Sequence, residues 1–564
     1  MFRRFPSILA CLAIALPIAT PNPLARAAEK PNVLLICVDD LKPVLGCYGD
    51  ASAKTPHLDA LAARSLRLDR AYCNQAVCSP SRNALMTGLR PQTLGIYDLP
   101  TNFRKSRPDA VTVAQYFMAH GYRTEAMGKI LHVGHGNVED TASWSVPHFK
   151  PKAKQYVLAE NEAPKVAQPN PGPSWKDPRG APTESADVPD ETYGDGQIAL
   201  EAVRRLKTAK ETGKPFFMGV GFLKPHLPFV APKKYWDLHD PANLPQPSRE
   251  TLPDGAPEYA GQSSGELRQY QGVPGGKEAL GPELTRHLIH GYYAATSYTD
   301  ACIGLVLAAL EETGLADTTL VVLWGDHGWH LGDHGIWCKH TNYEQAARIP
   351  LMIAMPGGSG SVSQALVETV DIFPTLAELA GLPLPDGLDG KSFASLFADP
   401  KATHRDHTIH VYPRNDLLGR AIRTDRHRLV EWKEPGADPA TAEFELYDYA
   451  VDPHETKNLA AENPAMVADL RGLLATHPEA KPQLVLKPAP PAKPDDHPKP
   501  VSKDRRAMFR QRDKDKDGKL TREEFLLNQP DPDEAPKRFP VFDANGDGLL
   551  SEEEFVKSGK IAKP

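Results

Sequence analysis

From Lys30 to about Pro350 the chain alternates short, β-rich apolar runs with segments whose apolar residues recur at helical spacing. Val33 to Val38 predicts the first strand. Thr112 to His120 predicts a helix closed by Gly121, followed by a strand over Arg123 to Met127. Ile198 to Lys207 predicts a helix ahead of a strand at Phe216 to Phe222. A long helix over His287 to Glu312 stops at Gly314, ahead of a strand at Thr319 to Trp324, and Leu351 to Met355 reads as a further buried strand. This alternation predicts an α/β core around a mainly parallel sheet. Pro151 to Pro189 is rich in proline, glycine and charge and reads as an irregular insertion. Past Pro385 strands follow more closely, at Thr408 to Tyr412, Arg420 to Arg423 and Arg428 to Trp432, with a helix at Pro464 to Leu474. Eight prolines between His477 and Val501 then predict an extended spacer. The expected organisation is a leader over 1–27, a main domain over 28–385, a smaller one over 386–477, a spacer over 478–502 and a terminal unit over 503–564.

Composition removes several classes. With 564 residues, 65 Lys+Arg against 72 Asp+Glu and 41% apolar residues, the chain is neither collagen, nor coiled coil, nor disordered overall. A net charge of −7 without a long basic run gives no footprint for nucleic acid. No apolar stretch after the amino-terminus approaches the ~20 residues of a membrane helix, so no membrane span is expected. Arg3 and Arg4, the apolar run Ile8 to Ala19 and Ala25-Arg26-Ala27 have the order of a cleaved signal peptide. They predict export to the periplasm, cell surface or medium, with a mature chain beginning near Ala28. Six of seven cysteines follow that point, leaving room for a disulfide or two, though no spacing pairs them.

In open α/β sheets ligands bind beyond the carboxyl ends of strands. Here those ends carry charge: Asp39-Asp40 after the first strand, Asp326-His327 after Trp324, Lys129 and His132 after Met127, and Lys224 and His226 after Phe222. Three carboxylates and an imidazole converging from two strands suit a hard divalent cation, calcium or magnesium. Either acidic pair alone is commonly a turn or cap; together they point to a site. Cys78-Ser79-Pro80-Ser81-Arg82, continuing through Thr87 to Gly88, predicts a short helix with Cys78 or Ser79 near its start. Its unpaired N–H groups favour an anion beside Cys78, with Arg82 one turn on. A structural cysteine at a helix start is the plain alternative.

These residues resemble the C-x-P-x-R signature of type I sulfatases, whose cysteine is oxidised to formylglycine. The resemblance runs from about Pro31 to Leu474 and includes Leu446-Tyr447-Asp448, Asp452-Pro453 and Asn458-Leu459. Within the family, Val38-Asp39-Asp40-Leu41, Gly46-Cys47-Tyr48-Gly49, Lys224-Pro225-His226 and Trp337 with Lys339 resemble the iduronate-sulfatase branch. The resemblance implies an alkaline-phosphatase-like fold, a mixed sheet between helices with a smaller antiparallel-sheet domain. It implies that Asp39, Asp40, Asp326 and His327 bind one calcium and that Cys78, matured by a formylglycine-generating enzyme, becomes an aldehyde hydrate that also ligates it. Arg82 would then hold the hydrate and metal, and Lys129 and Lys339 would neutralise sulfate oxygens. His132 would take the proton that restores the aldehyde, and His226 with Lys339 would serve the leaving oxygen. The implied substrate is a sulfated sugar, glycosaminoglycan or algal-type polysaccharide. Lys224 and Arg104 are candidate contacts for its acidic groups, and the 151–189 insertion for shaping the entrance. His330 and His334 are expected to be structural. A phosphate or phosphonate ester hydrolase of the same superfamily, and a calcium-dependent scaffold with a dead site, stay open, although every motif position is filled.

The carboxyl-terminal unit carries two further motifs. Asp513, Asp515, Asp517, Thr521 and Glu524 occupy the ligand positions of a twelve-residue EF-hand loop, and Asp543, Asn545, Asp547, Ser551 and Glu554 repeat the pattern 30 residues on. Lys519 and Leu549 hold position seven, which ligates through its carbonyl, and Gly518 and Gly548 allow the turn at position six. Two calcium ions are expected, in an all-α tail with Phe525 and Phe555 in a shared core. The tail reads as a stability or attachment module, with a protein or surface partner as the further expectation.

Overall fold

The computed structural model describes residues 30–163, 179–485, 505–526 and 535–557. The expected leader and most of the expected spacer lie outside the described residues. One compact unit ends at Leu484 and a second begins at Val485.

The first unit is built on seven strands: β1 (Asn32–Val38), β2 (Ser65–Tyr72), β3 (Arg123–Gly128), β4 (Phe216–Phe222), β5 (Thr319–Gly325), β6 (Arg348–Ala354) and β7 (Ser361–Glu368). They hydrogen-bond in the order β7-β2-β6-β5-β1-β4-β3. β1 is parallel to both β4 and β5, β3 to β4, and β7 to β2, while β6 runs antiparallel to β5 and β2. The sheet is therefore mixed by one strand.

Residues of β1 alternate between two cores, as a strand covered on both faces must. Val33, Leu35 and Cys37 face α2 (Cys78–Thr87), α3 (Val113–Ala119) and α6 (Ile372–Leu379), through Leu85, Phe117 and Leu376. Leu34, Ile36 and Val38 face α1 (Pro56–Ala62), α4 (Gly194–Thr212) and α5 (Pro282–Glu312), through Leu61, Ile198 and Tyr298. Thr112 closes a capping box with Gln115 at the start of α3.

α5 corrects one expectation. It is 31 residues long and apolar enough to cross a membrane by length and composition, yet 78% of its apolar window is buried inside the protein. It begins five residues earlier than its periodicity indicated, because Pro282 opens it. The six described cysteines, whose pairing the sequence left open, are all free, five of them buried.

A second sheet in the same unit is a plain antiparallel meander of β8 (His407–Arg414), β9 (Leu417–Thr424), β10 (His427–Lys433) and β11 (Glu443–Asp448). One face packs Ile409, Ile422, Leu429 and Leu446 on α7 (Pro464–Leu474) through Val467, Leu470 and Leu474. The other sets Ala421, Val430, Trp432 and Tyr447 against Tyr343. Residues 478–484, expected to open the spacer, are instead tied to the first unit. Lys481 and Leu484 donate their N–H groups to the carbonyls of Gln92 and Gly95, at 3.1 and 2.7 Å.

The second unit contains α8 (Arg505–Arg512), α9 (Arg522–Leu526), α10 (Ala535–Phe542) and α11 (Glu552–Lys557). It is not wholly helical, because β12 (Lys519–Thr521) and β13 (Leu549–Ser551) pair as a short ladder between the two loops, with Leu520 opposite Leu550. Phe525 and Phe555 meet in its core with Phe509 and Phe539. Donor atoms of Asp513, Asp515 and Glu524 lie within 4.8 Å of one another. Gly518 and Gly548 donate to Asp513 and Asp543 at 3.0 and 2.9 Å.

Candidate active site

The carboxyl ends of β1, β5, β3 and β4 and the first turn of α2 converge on one point. β1 ends at Val38, and Asp40 follows in the left-handed region, φ +60°, which a short polar residue tolerates better than a branched one. Its N–H donates to Asp326 Oδ1 at 2.9 Å, joining the ends of β1 and β5. Cys78 is the first residue of α2, after Val77 in extended conformation. Donor atoms of Asp39, Cys78, Asp326 and His327 lie within 4.8 Å of one another, as do those of Asp39, Asp40, Cys78 and His226. His327 Nε2 is 3.4 Å from Cys78 Sγ and 3.3 Å from Asp40 Oδ1.

Three cations balance the carboxylates. Arg82 is fully buried and forks between two of them, Nε to Asp326 Oδ2 at 2.9 Å and Nη2 to Asp39 Oδ1 at 3.1 Å, while Nη1 donates to the Lys129 and Ile130 carbonyls. Lys129 pairs with Asp39 Oδ2, and Lys339 reaches both Asp40 oxygens at 3.2 Å. Although burial alone would raise the Asp39 carboxyl, Lys129 and Arg82 hold it well below the usual range. Burial raises Asp326, with Asp39 adding to it. Burial, then Asp39, raises the Cys78 thiol well above its ordinary value.

A fourth carboxylate, Glu266, was not anticipated. It bridges Lys339 Nζ at 2.9 Å and His226 Nε2 at 3.2 Å, and Lys339 and His226 outweigh its burial to hold it well below the usual carboxylate range. Asp39, Asp40, Asp326 and Glu266 against Arg82, Lys129 and Lys339 leave a formal −1, so a divalent cation brings the cluster to +1, matching a monoanionic ester. Three buried carboxylates with one imidazole are a donor set that fits a hard cation.

The two other predicted histidines sit on the same wall. His132 Nε2 is 3.2 Å from His135 Nδ1, and its own Nδ1 is buried without a hydrogen-bond partner among the described residues. Burial, then Lys129, pushes its pKa down to about 3. His226 directs Nδ1 at the Leu227 carbonyl, 2.5 Å away. Lys129, His132, His226 and Lys339 line a cavity of about 1130 Å³ together with Cys78, and residues of the 151–189 insertion, among them Gln155, Tyr156 and Arg179, form part of its wall.

Lys224 and Arg104 are corrected. Lys224 Nζ donates to the carbonyls of His226 and Pro228, at 2.6 and 2.7 Å, and so fixes the loop that carries His226. Arg104 is spent on Asp140 and Gln115. His330 and His334 are structural as expected, bonded to Thr341 Oγ1 at 2.9 Å and the His454 carbonyl at 2.8 Å. Gly128 and Gly221 show why the floor is glycine: a Cβ on Gly221 would stand 2.1 Å from the Lys129 carbonyl, and one on Gly128 2.0 Å from the Gly221 carbonyl.

The sulfatase profile matches residues 31–382, more than half of the chain. The chain belongs to the sulfatase family. This sulfatase also matches the N-sulphoglucosamine sulphohydrolase carboxyl-terminal profile over 332–476 and EF-hand profiles over 506–526 and 537–557. It is 36% identical over 415 residues to mouse iduronate 2-sulfatase, covering 68% of this chain and 74% of that one. To human iduronate 2-sulfatase it is 32% identical over 506 residues, covering 76% and 90%. It is thus a sulfuric ester hydrolase. Among solved structures, one described in complex with its substrate D-glucosamine-2-N,6-O-disulfate superposes with a TM-score of 0.63 at 21% identity, covering 79% of this chain and 97% of that one. A phosphonate monoester hydrolase from Silicibacter pomeroyi does so with 0.62 at 22% identity, covering 79% and 94%. At these identities the likeness is one of fold, alkaline-phosphatase-like.

Proposed function

We propose that this sulfatase removes sulfate from an acidic sulfated sugar of glycosaminoglycan or related polysaccharide type, outside the cytoplasm, with Cys78 carried as formylglycine and calcium held by Asp39, Asp40, Asp326 and His327. The observation that carries the reading is the meeting of Cys78, at the head of α2, with that donor set and two lysines in one cavity of sugar-accommodating size. The hydrated aldehyde supplies an oxygen nucleophile, and calcium supplies Lewis-acid charge beside it.

The chain's own groups do the rest. Lys129 and Lys339, with side chains 17% and 3% exposed, place fixed positive charge where sulfate oxygens would bind, less screened than in water. Arg82 holds Asp39 and Asp326 in ligating geometry. His226 Nε2, backed by Glu266, faces the leaving oxygen and delivers its proton. His132, kept neutral by burial and Lys129, takes a proton on the return to the resting state. Residues 1–27 direct export, maturation requires a formylglycine-generating enzyme, and the EF-hand pair binds two further calcium ions through Asp513, Asp515, Asp517, Lys519, Glu524 and Asp543, Asn545, Asp547, Leu549, Glu554.

Because the proton-accepting form of His132 persists throughout about pH 5 to 8, its titration will not shape the acid limb of kcat. H132Q is expected to lower kcat and leave that limb in place. A wild-type limb near 6.5, the ordinary imidazole value, that vanishes in H132Q would contradict this reading. The substrate class is tested by sulfate release from defined sulfated oligosaccharides, alongside aryl sulfate and aryl phosphonate sharing one leaving group. Higher kcat/KM on the sulfate is expected, and a preference for the phosphonate would overturn the reading.

A further inference from the structure

We propose that Arg179 selects substrates carrying a second anionic group, a carboxylate or a second sulfate, beside the ester that is cleaved; this rests on the sugar-sulfatase reading above. Arg179 comes from the irregular insertion, yet its backbone is fixed. Its N–H donates to the Gln269 carbonyl at 3.1 Å, and Gln271 N–H donates to the Gly180 carbonyl at 3.0 Å, a bridge that pairs Arg179 with Tyr270. On its other side the segment packs on Asn161, where a Cβ on Gly180 would stand 2.1 Å from the carbonyl, so this backbone approach needs glycine.

The side chain is positioned as well. Its guanidinium carbon lies 5.2 Å from the centre of the Tyr270 ring, and Nη1 donates to the Tyr270 hydroxyl at 3.2 Å. Among the described residues Nε and Nη2 have no hydrogen-bond partner, and the side chain, 28% exposed, lies on the cavity wall. The other cations there are engaged differently. Lys129 and Lys339 are held by carboxylates of the site, and Lys154 is 80% exposed and pairs with Glu162.

Placement gives the reach. Glu266 Oε1 is 4.0 Å from Arg179 Nη1 and 3.2 Å from His226 Nε2, so those nitrogens are at most 7.2 Å apart. That is the span of one sugar ring. A sugar whose leaving oxygen faces His226 therefore brings another substituent of the same ring, or of its neighbour, to the open edge of the guanidinium. Glu266 is already shared by Lys339 and His226 and leaves Arg179 short of a full counter-charge. A planar fork with two parallel donors fits a carboxylate or a sulfate better than a hydroxyl.

The test uses the full-length protein and two substrate pairs: a 2-O-sulfated uronate disaccharide with its carboxyl-reduced counterpart, and a 6-O-sulfated glucosamine bearing N-sulfate or N-acetyl. The readout is the ratio of kcat/KM between the charged and neutral member of each pair, which cancels the active fraction of each preparation. Wild type is expected to prefer the charged member of at least one pair by about 10- to 100-fold. R179Q is expected to bring that ratio near one, with R179K retaining more of it, and the pair affected says whether carboxylate or sulfate is read. Ratios near one in wild type, or a preference that R179Q leaves unchanged, would overturn the role of Arg179 while leaving the sulfatase reading intact. Failure to release sulfate from any substrate, aryl sulfate included, would remove both.

Discussion

Replacing Cys78 with alanine is expected to lower kcat/KM for sulfate release by about 10,000-fold or more, the scale of removing a nucleophile from an intact site. The change removes one small buried atom from the first turn of α2. Asp39, Asp326 and Arg82 keep their mutual contacts, so the thermal midpoint is expected to move little. The two measurements separate chemistry from folding. Activity surviving at more than about a hundredth of wild type would place the nucleophile elsewhere.

Arg82→Ala is expected to produce the second large effect, with stability and activity falling together. The guanidinium is fully buried, pairs with two carboxylates and fills the site's floor over Trp324, 5.8 Å from that ring's centre. Its loss leaves Asp39 and Asp326 buried with a carboxylate excess, at a cost of about 3–5 kcal/mol. The thermal transition of the first unit should drop clearly, and sulfate release should vanish. Arg82→Lys keeps the charge without the fork that spans both carboxylates, and is expected to recover only part of either loss. An unchanged midpoint in Arg82→Ala would show that the carboxylates are satisfied some other way.

Much of this centre is legible from local sequence because it is built at strand ends and on contiguous motifs. β4 and α7 fall on the predicted residues, and β1 within one, since each is an apolar run or helical pattern with clear boundaries. The ligand pairs follow β1 and β5 directly, and Cys78 and Arg82 share one helix. The EF-hand loops carry their ligands in twelve consecutive residues each. β2, β7 and β11 are not marked by an apolar pattern because they include partly wet positions, and neither SLRLDRAY nor SVSQALVE has an apolar run of four residues. Glu266 and Arg179 were hidden for another reason. They lie in irregular segments and acquire meaning only from partners distant in sequence, such as Lys339, 73 residues beyond Glu266. Lys224 and Arg104 show the converse. Basic residues close to motifs were natural substrate contacts, but tertiary structure turned both onto protein oxygens.

In the proposed reading Cys78 acts after conversion to an aldehyde, in a calcium site formed by Asp39, Asp40, Asp326 and His327. Mass spectrometry of the peptide carrying Cys78, from active protein purified from its native host, tests this most directly. The peptide is expected to carry the aldehyde in place of the thiol, in a fraction that tracks specific activity across preparations. A quantitatively unmodified thiol in fully active protein would contradict it.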